Sequence, residues 1–187
     1  MVKRKVFVIA GAAGAGKTTV ANYLHDHYKM NRVVTHTTRA PRENEQDGVD
    51  YHFESPVSMN KLHLLEEVEY DHYRYGSSLE ALEEGWQTDK NDVIVLDTKG
   101  AVTYHEKLGD QAVIIFLTVS DLGALANRMT KRGDDLQAIR SRLNSPEYQR
   151  DLKLPKELGG VAHVIVNDSW PQTITCLDKI VKQFSLE

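Results

Sequence analysis

A glycine-rich segment near the N-terminus contains the residues with the clearest chemistry. The segment, Gly11-Ala12-Ala13-Gly14-Ala15-Gly16-Lys17-Thr18, matches the pattern G-x-x-x-x-G-K-[ST]. Its glycines let backbone N–H groups face a chain of phosphates at the positive end of the helix that follows. Lys17 is predicted to contact the β- and γ-phosphates, and the Thr18 hydroxyl to bind Mg²⁺. We therefore expect this segment, together with Thr19, to bind a nucleoside triphosphate.

The surroundings of this phosphate loop support the same prediction. The apolar run Val6–Ile9 precedes it, and 18–28 has apolar residues at helical spacing, so the motif follows a strand and begins a helix, as its mechanism requires. The alternative is a glycine-rich turn that binds no ligand. The motif alone leaves open a GTPase switch, an ATPase motor and a small-molecule kinase. The length of 187 residues and the arginine-rich segments favour the kinase.

Arginine is concentrated in two parts of an acidic chain. The sequence has 23 Lys+Arg and 27 Asp+Glu, a formal net charge of −4, which argues against a general nucleic-acid binder. Arg39 and Arg42 form one cluster. The second cluster comprises Arg128, Lys131, Arg132, Arg140 and Arg142. Such clusters indicate sites for small anions, although a solvated charged surface has the same composition.

Apolar runs alternate with helical patterns along the chain. Three segments are typical of buried strands, namely 92–97, 112–117 and 161–166, and a shorter strand is indicated at 32–35. Helices are indicated at 121–129 and 174–184. This alternation predicts an α/β fold with a parallel sheet flanked by helices. The longest apolar run, Ala112–Leu117, is too short to span a bilayer. The lone cysteine, Cys176, forms no intrachain disulfide, so we expect a cytoplasmic protein without a membrane partner.

Two polar segments interrupt the alternation. Segment 35–75 is rich in aromatic residues and poor in long apolar runs, which predicts an inserted lobe that binds a substrate. Segment 130–151 is rich in arginine and helical in composition, which predicts a short mobile lid. We expect one domain over 1–187, with its core at about 1–34, 76–129 and 152–187.

A second block of residues resembles the guanylate kinase family. Thr35-His36-Thr37-Thr38-Arg39-Ala40-Pro41-Arg42 is followed by Glu45, Gly48 and Asp50-Tyr51-His52-Phe53, similar to that family's T-T-R-x-P-R…E…G-x-D-Y-x-F. The similarity continues at Glu66, 75–77, 97–100, Arg128, 132–133, Arg142 and 164–168, and so covers nearly the whole chain. The resemblance implies a P-loop NTPase-type fold with an inserted nucleotide-monophosphate-binding lobe and a short lid. It also implies transfer of the γ-phosphoryl of ATP to GMP or dGMP, with Mg²⁺ as cofactor.

The resemblance further implies roles for individual residues. The residues that it implies contact GMP are Thr35, Arg39, Arg42, Glu45, Tyr51, Glu66, Tyr75, Ser77 and Asp97. It implies catalytic roles for Lys17, Arg39, Arg128, Arg132 and Arg142. It also implies that Asn167 binds ATP. A carboxylate at Glu66 would accept hydrogen bonds from N1–H and the 2-amino group of guanine, with Ser77 bonding O6. Since adenine lacks that pair of donors, such a site selects guanine.

Departures from the family pattern keep alternative functions open. Val95 stands where many members have an acidic residue, Lys99 replaces a glutamine, and Ala13 replaces a common serine. One alternative is a ribose 1,5-bisphosphate kinase-like enzyme, whose branch shares the fold but lacks the complete second block. Another is a non-catalytic guanylate-kinase-like binding module, a class that has lost the phosphate loop. The eight histidines show no metal-ligand spacing, so no zinc site is predicted.

Overall fold

The computed structural model describes residues 4–41, 43, 45–70 and 72–185. Arg42, one of the predicted GMP contacts, lies outside the described residues. The strands are β1 (Val6–Ala10), β2 (Asn31–Arg32), β3 (His36–Thr37), β4 (His52–Phe53), β5 (Leu64–Tyr70), β6 (Tyr73–Ser78), β7 (Asp92–Val95), β8 (Ala112–Thr118) and β9 (His163–Val166). The α-helices are α1 (Lys17–Tyr28), α2 (Pro56–Met59), α3 (Leu79–Trp86), α4 (Thr98–Leu108), α5 (Gly123–Lys131), α6 (Leu136–Leu143), α7 (Pro146–Asp151) and α8 (Trp170–Ser185). Short 3₁₀ turns occupy Gly109–Gln111 and Lys156–Leu158.

A parallel sheet in the order β2-β7-β1-β8-β9 forms the centre of the molecule. β1 is buried along its whole length because helices cover both faces of the sheet. Side chains alternate between those faces. Phe7 and Ile9 pack in a cluster with residues of α1, α5 and α8, whereas Val6 and Val8 pack in a second cluster with residues of α3 and α4. The predicted α/β fold with a parallel, helix-flanked sheet is confirmed.

A second, smaller sheet has the order β4-β3-β6-β5. β5 and β6 form an antiparallel hairpin, β3 pairs antiparallel with β6, and β4 pairs parallel with β3. The four strands fall within 36–78, so most of this sheet lies in the polar segment 35–75 and β6 extends beyond it to Ser78. The division of the chain into core, lobe and lid stays a prediction.

Several element boundaries differ from the sequence predictions, and three of them have a clear local cause. The second strand is Asn31–Arg32, since the chain turns toward the small sheet after its last pairing with β7. The last strand begins at His163 because 161–162 close a turn onto the carbonyl of Leu158. α5 begins at Gly123 because the Asp121 carboxylate accepts the Gly123 N–H in a turn that precedes the helix. Within the described residues, no helix combines the length and apolarity needed to cross a bilayer.

Candidate active site

The phosphate loop connects the end of β1 to the start of α1, and two of its glycines are fixed by their surroundings. Gly11 has a φ of +132°, and a Cβ atom there would overlap the carbonyl oxygen of Leu117 at the end of β8. Gly16 caps α1 with a φ of +98°, and a Cβ atom there would overlap the amide of Asn167. A side chain at either position would push the loop away from the sheet edge.

The amine of Lys17 lies inside this loop. Its Nζ donates to the carbonyl oxygens of Gly11 at 2.6 Å and Ala12 at 3.0 Å. Burial lowers the pKa of Lys17 to about 8, against the opposing charges of Asp151 and Asp97. An anion placed beside this amine would favour its charged form. The loop therefore presents a partly buried cation for which phosphate is a suitable partner.

The loop opens into a cavity of about 880 Å³ that brings most of the predicted site residues together. The loop and α1 contribute Lys17 and Thr18 to the wall. The small sheet and its connections contribute Thr35, Arg39, Tyr51, Glu66 and Tyr75. Asp97 follows β7, and Arg132 and Arg142 come from segment 130–151. Groups predicted to hold two different nucleotides thus face one shared space.

Arg39 is held firmly at the small-sheet side of the cavity. Its Nη2 lies 2.9 Å from both carboxylate oxygens of Glu45, and its Nη1 donates to the carbonyl of Ala40 at 2.7 Å. The guanidinium lies 5.6 Å from the ring centre of Tyr51, a cation–π distance. Its Nε is buried and has no hydrogen-bond partner among the described residues. A guanidinium oriented in this way suits a phosphate group.

Glu66 faces the cavity from β5, whereas the next residue, Glu67, pairs with Arg74 on the opposite face. Burial raises the pKa of Glu66 to about 7, the nearby Asp97 charge adds to this, and hydrogen bonds from the side chain and backbone of Ser77 oppose it. The strand alternation explains why Glu66 turns inward and Glu67 does not. The site holds a carboxyl group that titrates near neutral pH.

Ser77 and Asp97 have protein partners already. Ser77 is fully buried opposite Glu66 in the β5–β6 hairpin and lies behind the cavity wall. The Asp97 carboxylate caps α4 by accepting the Gly100 N–H at 2.6 Å, and it also accepts from Arg150 Nη2 at 2.6 Å. Ser77 is therefore placed to support Glu66, and its predicted bond to guanine O6 stays a prediction.

The predicted arginines of the second cluster occupy two different places. Arg132 donates from Nε to Asp134 at 2.8 Å, and Arg142 Nη1 lies 3.9 Å from the same carboxylate. Both line the cavity. Arg128 instead donates to the backbone carbonyl of Asn167 at 2.7 Å, outside the residues that line the cavity. One acidic residue therefore holds two arginines at the cavity wall.

Asn167 also lies behind the phosphate loop. Its Nδ2 donates to the carbonyl of Ala15 at 2.8 Å, and its Oδ1 accepts from the Thr173 hydroxyl at 2.8 Å. The structure thus places Arg128 and Asn167 together as supports of the loop, and their direct roles toward ATP stay predictions.

The acidic residues in the described part of the chain do not form a complete metal-binding site. Among residues 4–41, 43, 45–70 and 72–185, no group of three or more His, Cys, Asp or Glu side chains could hold an ion. Mg²⁺ commonly takes one or two protein ligands and completes its shell with phosphate oxygens and water. The exposed Thr18 on the cavity wall fits that mode of binding, in which the ion arrives with the nucleotide.

Comparison with known proteins decides the family. A family model described as guanylate kinase matches residues 3–184. The chain belongs to the guanylate kinase family. It is 34% identical over 187 residues to a guanylate kinase of Desulfotalea psychrophila, with 97% of this chain and 90% of the relative covered. It is 31% identical to a guanylate kinase of Latilactobacillus sakei, with 95% and 88% covered.

A solved structure shows the same fold. The crystal structure of guanylate kinase from Anaplasma phagocytophilum matches all of this chain and 88% of its own, with a TM-score of 0.68 and 21% sequence identity. The family model and the two relatives make the chain a member of an enzyme family of nucleotide-binding phosphotransferases, as the sequence motifs predicted.

In this guanylate kinase family member, the sequence analysis missed the cavity residues on α7, among them Arg150 and Asp151. Arg150 bridges Asp97 and Asp151, and Asp151 in turn accepts the Thr98 hydroxyl at 2.5 Å. Both line the cavity, and they connect α7 to the start of α4. The arginine content of 130–151 was the available signal, but it did not distinguish Arg150 from the exposed Arg140.

Proposed function

We propose that this protein transfers the γ-phosphoryl group of ATP to GMP, and to dGMP, to give ADP and GDP or dGDP. The observation that carries the proposal is the single cavity shared by the phosphate loop and the Arg39–Glu66 side of the small sheet. Three kinds of group face the same space. They are a cation that would hold one phosphate chain, a second cation that would hold another phosphate, and a carboxyl group that would bind a base. That arrangement suits transfer between two nucleotides.

The donor nucleotide would lie on the phosphate loop. Loop N–H groups and Lys17 would hold its phosphates, and the amine would exchange its two carbonyl partners for phosphate oxygens. Thr18 would bind Mg²⁺, which would neutralise charge on the phosphates. Arg128 and Asn167 would keep the loop in position from behind.

The acceptor phosphate would lie against Arg39, whose Glu45 partner keeps the guanidinium fixed. Thr35, Tyr51 and Tyr75 line the same side and would add neutral donors. On the basis of the family motif, Arg42 would add a second cation. Since the second pKa of a phosphate monoester is about 6, the attacking oxygen is largely ionised at neutral pH, and no general base is needed.

Base selection would rest on Glu66. Its carboxylate would accept from N1–H and the 2-amino group of guanine, and Asp97 lies close enough to influence its charge. A base without those donors would leave buried carboxylate oxygens without partners, which is costly.

The arginines of segment 130–151 would act at the reacting centre. Arg132 and Arg142 share Asp134 in this structure, and the phosphoryl group in transfer would compete with that carboxylate for them. Their movement onto the phosphates would also exclude water, which would otherwise accept the phosphoryl group and hydrolyse ATP.

The direct test is ADP release from Mg-ATP with GMP, dGMP, AMP, UMP, CMP or ribose 1,5-bisphosphate as acceptor. We expect turnover with GMP and dGMP alone, and a loss of about 10³-fold or more in Lys17→Ala, in line with loss of a phosphate clamp. Turnover confined to the sugar bisphosphate would contradict the proposal and favour the sugar-kinase alternative. ATP binding without turnover on any acceptor would favour the binding module.

A further inference from the structure

A glycine stands in the first turn of α4, where this helix approaches the Glu66 side of the cavity. Gly100 is the third residue of α4, it is buried, and its backbone is helical. No positive φ calls for a glycine at this position. Because glycine stabilises a helix less than alanine does, the local structure alone favours another residue. The surroundings of α4 supply the reason for a glycine.

The Glu66 carboxylate lies beside the place that a side chain at position 100 would take. A Cβ atom on Gly100 would lie 3.2 Å from Glu66 Oε2, closer than such atoms normally pack. It would also lie 3.2 Å from Asp97 Oδ1 and 3.3 Å from the Cβ atom of Leu96. Glu66 is itself buried. An added methyl group would therefore be crowded, and one of the atoms that crowd it belongs to the carboxylate proposed to bind the base.

The first turn of α4 is held in place by hydrogen bonds. The Asp97 carboxylate accepts the Gly100 N–H at 2.6 Å. Asp151 Oδ1 accepts the Thr98 N–H at 3.2 Å and the Thr98 hydroxyl at 2.5 Å. Moving α4 away from β5 would lengthen these bonds to two carboxylates, which makes that adjustment costly.

The backbone of β5 is held as well. Glu66 pairs with Ser77 across the hairpin. The carbonyl oxygen of the preceding residue, Leu65, accepts from Lys107 Nζ of α4 at 2.6 Å, and Leu65 packs against the apolar cluster on the α3 and α4 face of the central sheet. The Glu66 carboxyl group, by contrast, stands at the end of a side chain with rotatable bonds. A larger residue at position 100 would therefore displace this carboxyl group.

We infer that Gly100 is a positioning residue for guanine recognition, because its lack of a side chain lets the Glu66 carboxylate lie against the first turn of α4. This inference rests on the function proposed above. From that place the carboxylate faces the cavity, where its oxygens would accept from N1–H and the 2-amino group of guanine. A Cβ atom at position 100 would turn the carboxyl group away from this orientation and weaken both bonds.

The first experiment compares Gly100→Ala with the wild-type protein, using GMP and IMP as acceptors. IMP keeps N1–H but has no 2-amino group. We expect the KM for GMP to rise about ten-fold, comparable with the loss of one hydrogen bond to a charged group, with kcat and the KM for ATP unchanged. The preference for GMP over IMP in kcat/KM should fall about five-fold, because a displaced carboxyl group no longer accepts from both donors. A general defect in folding would instead lower activity with both acceptors alike.

Gly123→Ala is the matched control. Gly123 also lies in the first turn of a helix, α5, and its N–H is also accepted by a carboxylate, that of Asp121. A Cβ atom there would likewise lie 3.2 Å from Asp121 Oδ1, but Asp121 is exposed and lies outside the residues that line the cavity. We expect this variant to keep the wild-type KM values and the wild-type preference for GMP.

A double-mutant cycle in urea unfolding tests the contact without any nucleotide. In the wild-type protein, crowding against Glu66 offsets the gain in helix stability from Gly100→Ala, whereas Glu66→Ala leaves that space open. Gly100→Ala should therefore raise the urea midpoint more in the Glu66→Ala background than in the wild-type background.

Three results would overturn the inference. They are an equal change of the urea midpoint in both backgrounds, a wild-type KM for GMP in Gly100→Ala, and an unchanged preference for GMP over IMP in that variant. Absence of GMP-dependent turnover in the wild-type protein would instead overturn the proposed function, and the urea cycle would then judge the contact between Gly100 and Glu66 separately.

Discussion

Glu66 is a carboxyl group whose protonation state changes near neutral pH. Its pKa is raised to about 7 because burial and the nearby Asp97 charge disfavour ionisation. Below that pH the carboxyl gains a proton and loses lone pairs that would accept from guanine. Under the proposed function, the raised pKa of Glu66 would favour GMP binding at high pH, and the binding would be lost as pH falls through about 7.

This titration gives a first prediction at the residue scale. We expect GMP affinity to fall about ten-fold for each unit of pH well below 7, in excess of the effect of GMP's own phosphate. Glu66→Gln should weaken GMP binding and remove that extra dependence, because a glutamine does not titrate. Calorimetry across the pH range distinguishes the two proteins. Parallel pH profiles for wild type and Glu66→Gln would show that another group titrates.

Single residues also show what the sequence could and could not predict. Lys17 and Thr18 were predictable because the phosphate loop is a local structure, formed by consecutive residues between a strand and a helix. The position of Glu66 was predictable only through the family pattern. The assignment of Ser77 to the base edge stays a prediction, whereas the hydrogen bond from the Tyr104 hydroxyl to Ser77 depends on the packing of α4 against the hairpin, which no local pattern contains.

At the scale of elements, the apolar strands were predicted and the small sheet was not. β1, β7 and β8 are continuous buried runs, and burial on both faces gives a clear sequence signal. β3 and β4 have two residues each and pair across 14 intervening positions, so their order depends on contacts that a local pattern does not contain.

The junction between α7 and α4 gives the second prediction. Arg150 joins two carboxylates, Asp97 and Asp151, whose side chains are only 18% and 12% exposed. Arg150→Met would leave these like charges without their shared partner. We expect a loss of about 1–2 kcal/mol in the free energy of unfolding, discounted because the arginine is itself partly exposed. The KM for GMP should rise as Asp97 loses its position.

Urea unfolding and hydrogen exchange of the α7 amides would measure this effect. Arg140→Met is the control, because Arg140 lies exposed on the neighbouring α6. We expect the control to unfold at the wild-type urea midpoint. Equal midpoints for all three proteins would mean that Arg150 does not connect α7 to α4.

At the scale of the whole molecule, the topology explains why the cavity lies where it does. The phosphate loop follows β1, and Asp97 follows the adjacent β7, so both come from the carboxyl end of the same parallel sheet. Ligands of open α/β sheets bind at that edge. The small sheet and segment 130–151 contribute the remaining cavity walls. Under the proposed function, the central sheet would fix the donor side, and the small sheet with segment 130–151 would supply the acceptor side.

A buried carboxyl group in the core, far from this edge, lowers the stability of the folded protein. Asp92 at the start of β7 is fully buried; its Oδ1 accepts from Asn31, and its Oδ2 has no partner within the described part of the chain. Burial raises the pKa of Asp92 to about 6 from an ordinary value of 3.8, although the Asn31 bond and the charge of Arg4 oppose the shift. The folded protein therefore holds this proton more tightly than the unfolded chain, and stability falls as pH rises from about 4 to about 6.

Asp92→Asn should remove this penalty and gives the third prediction. At pH 4 the folded wild type already has a neutral Asp92, so the two proteins should unfold with similar free energies. Above pH 6 the variant should be more stable by on the order of 1 kcal/mol, since ionisation no longer opposes folding. Urea unfolding at pH 4, 5, 6 and 7 measures the difference, with the exposed Asp110→Asn as control. A gap of the same size at every pH would show that packing, and not the charge of Asp92, sets the effect.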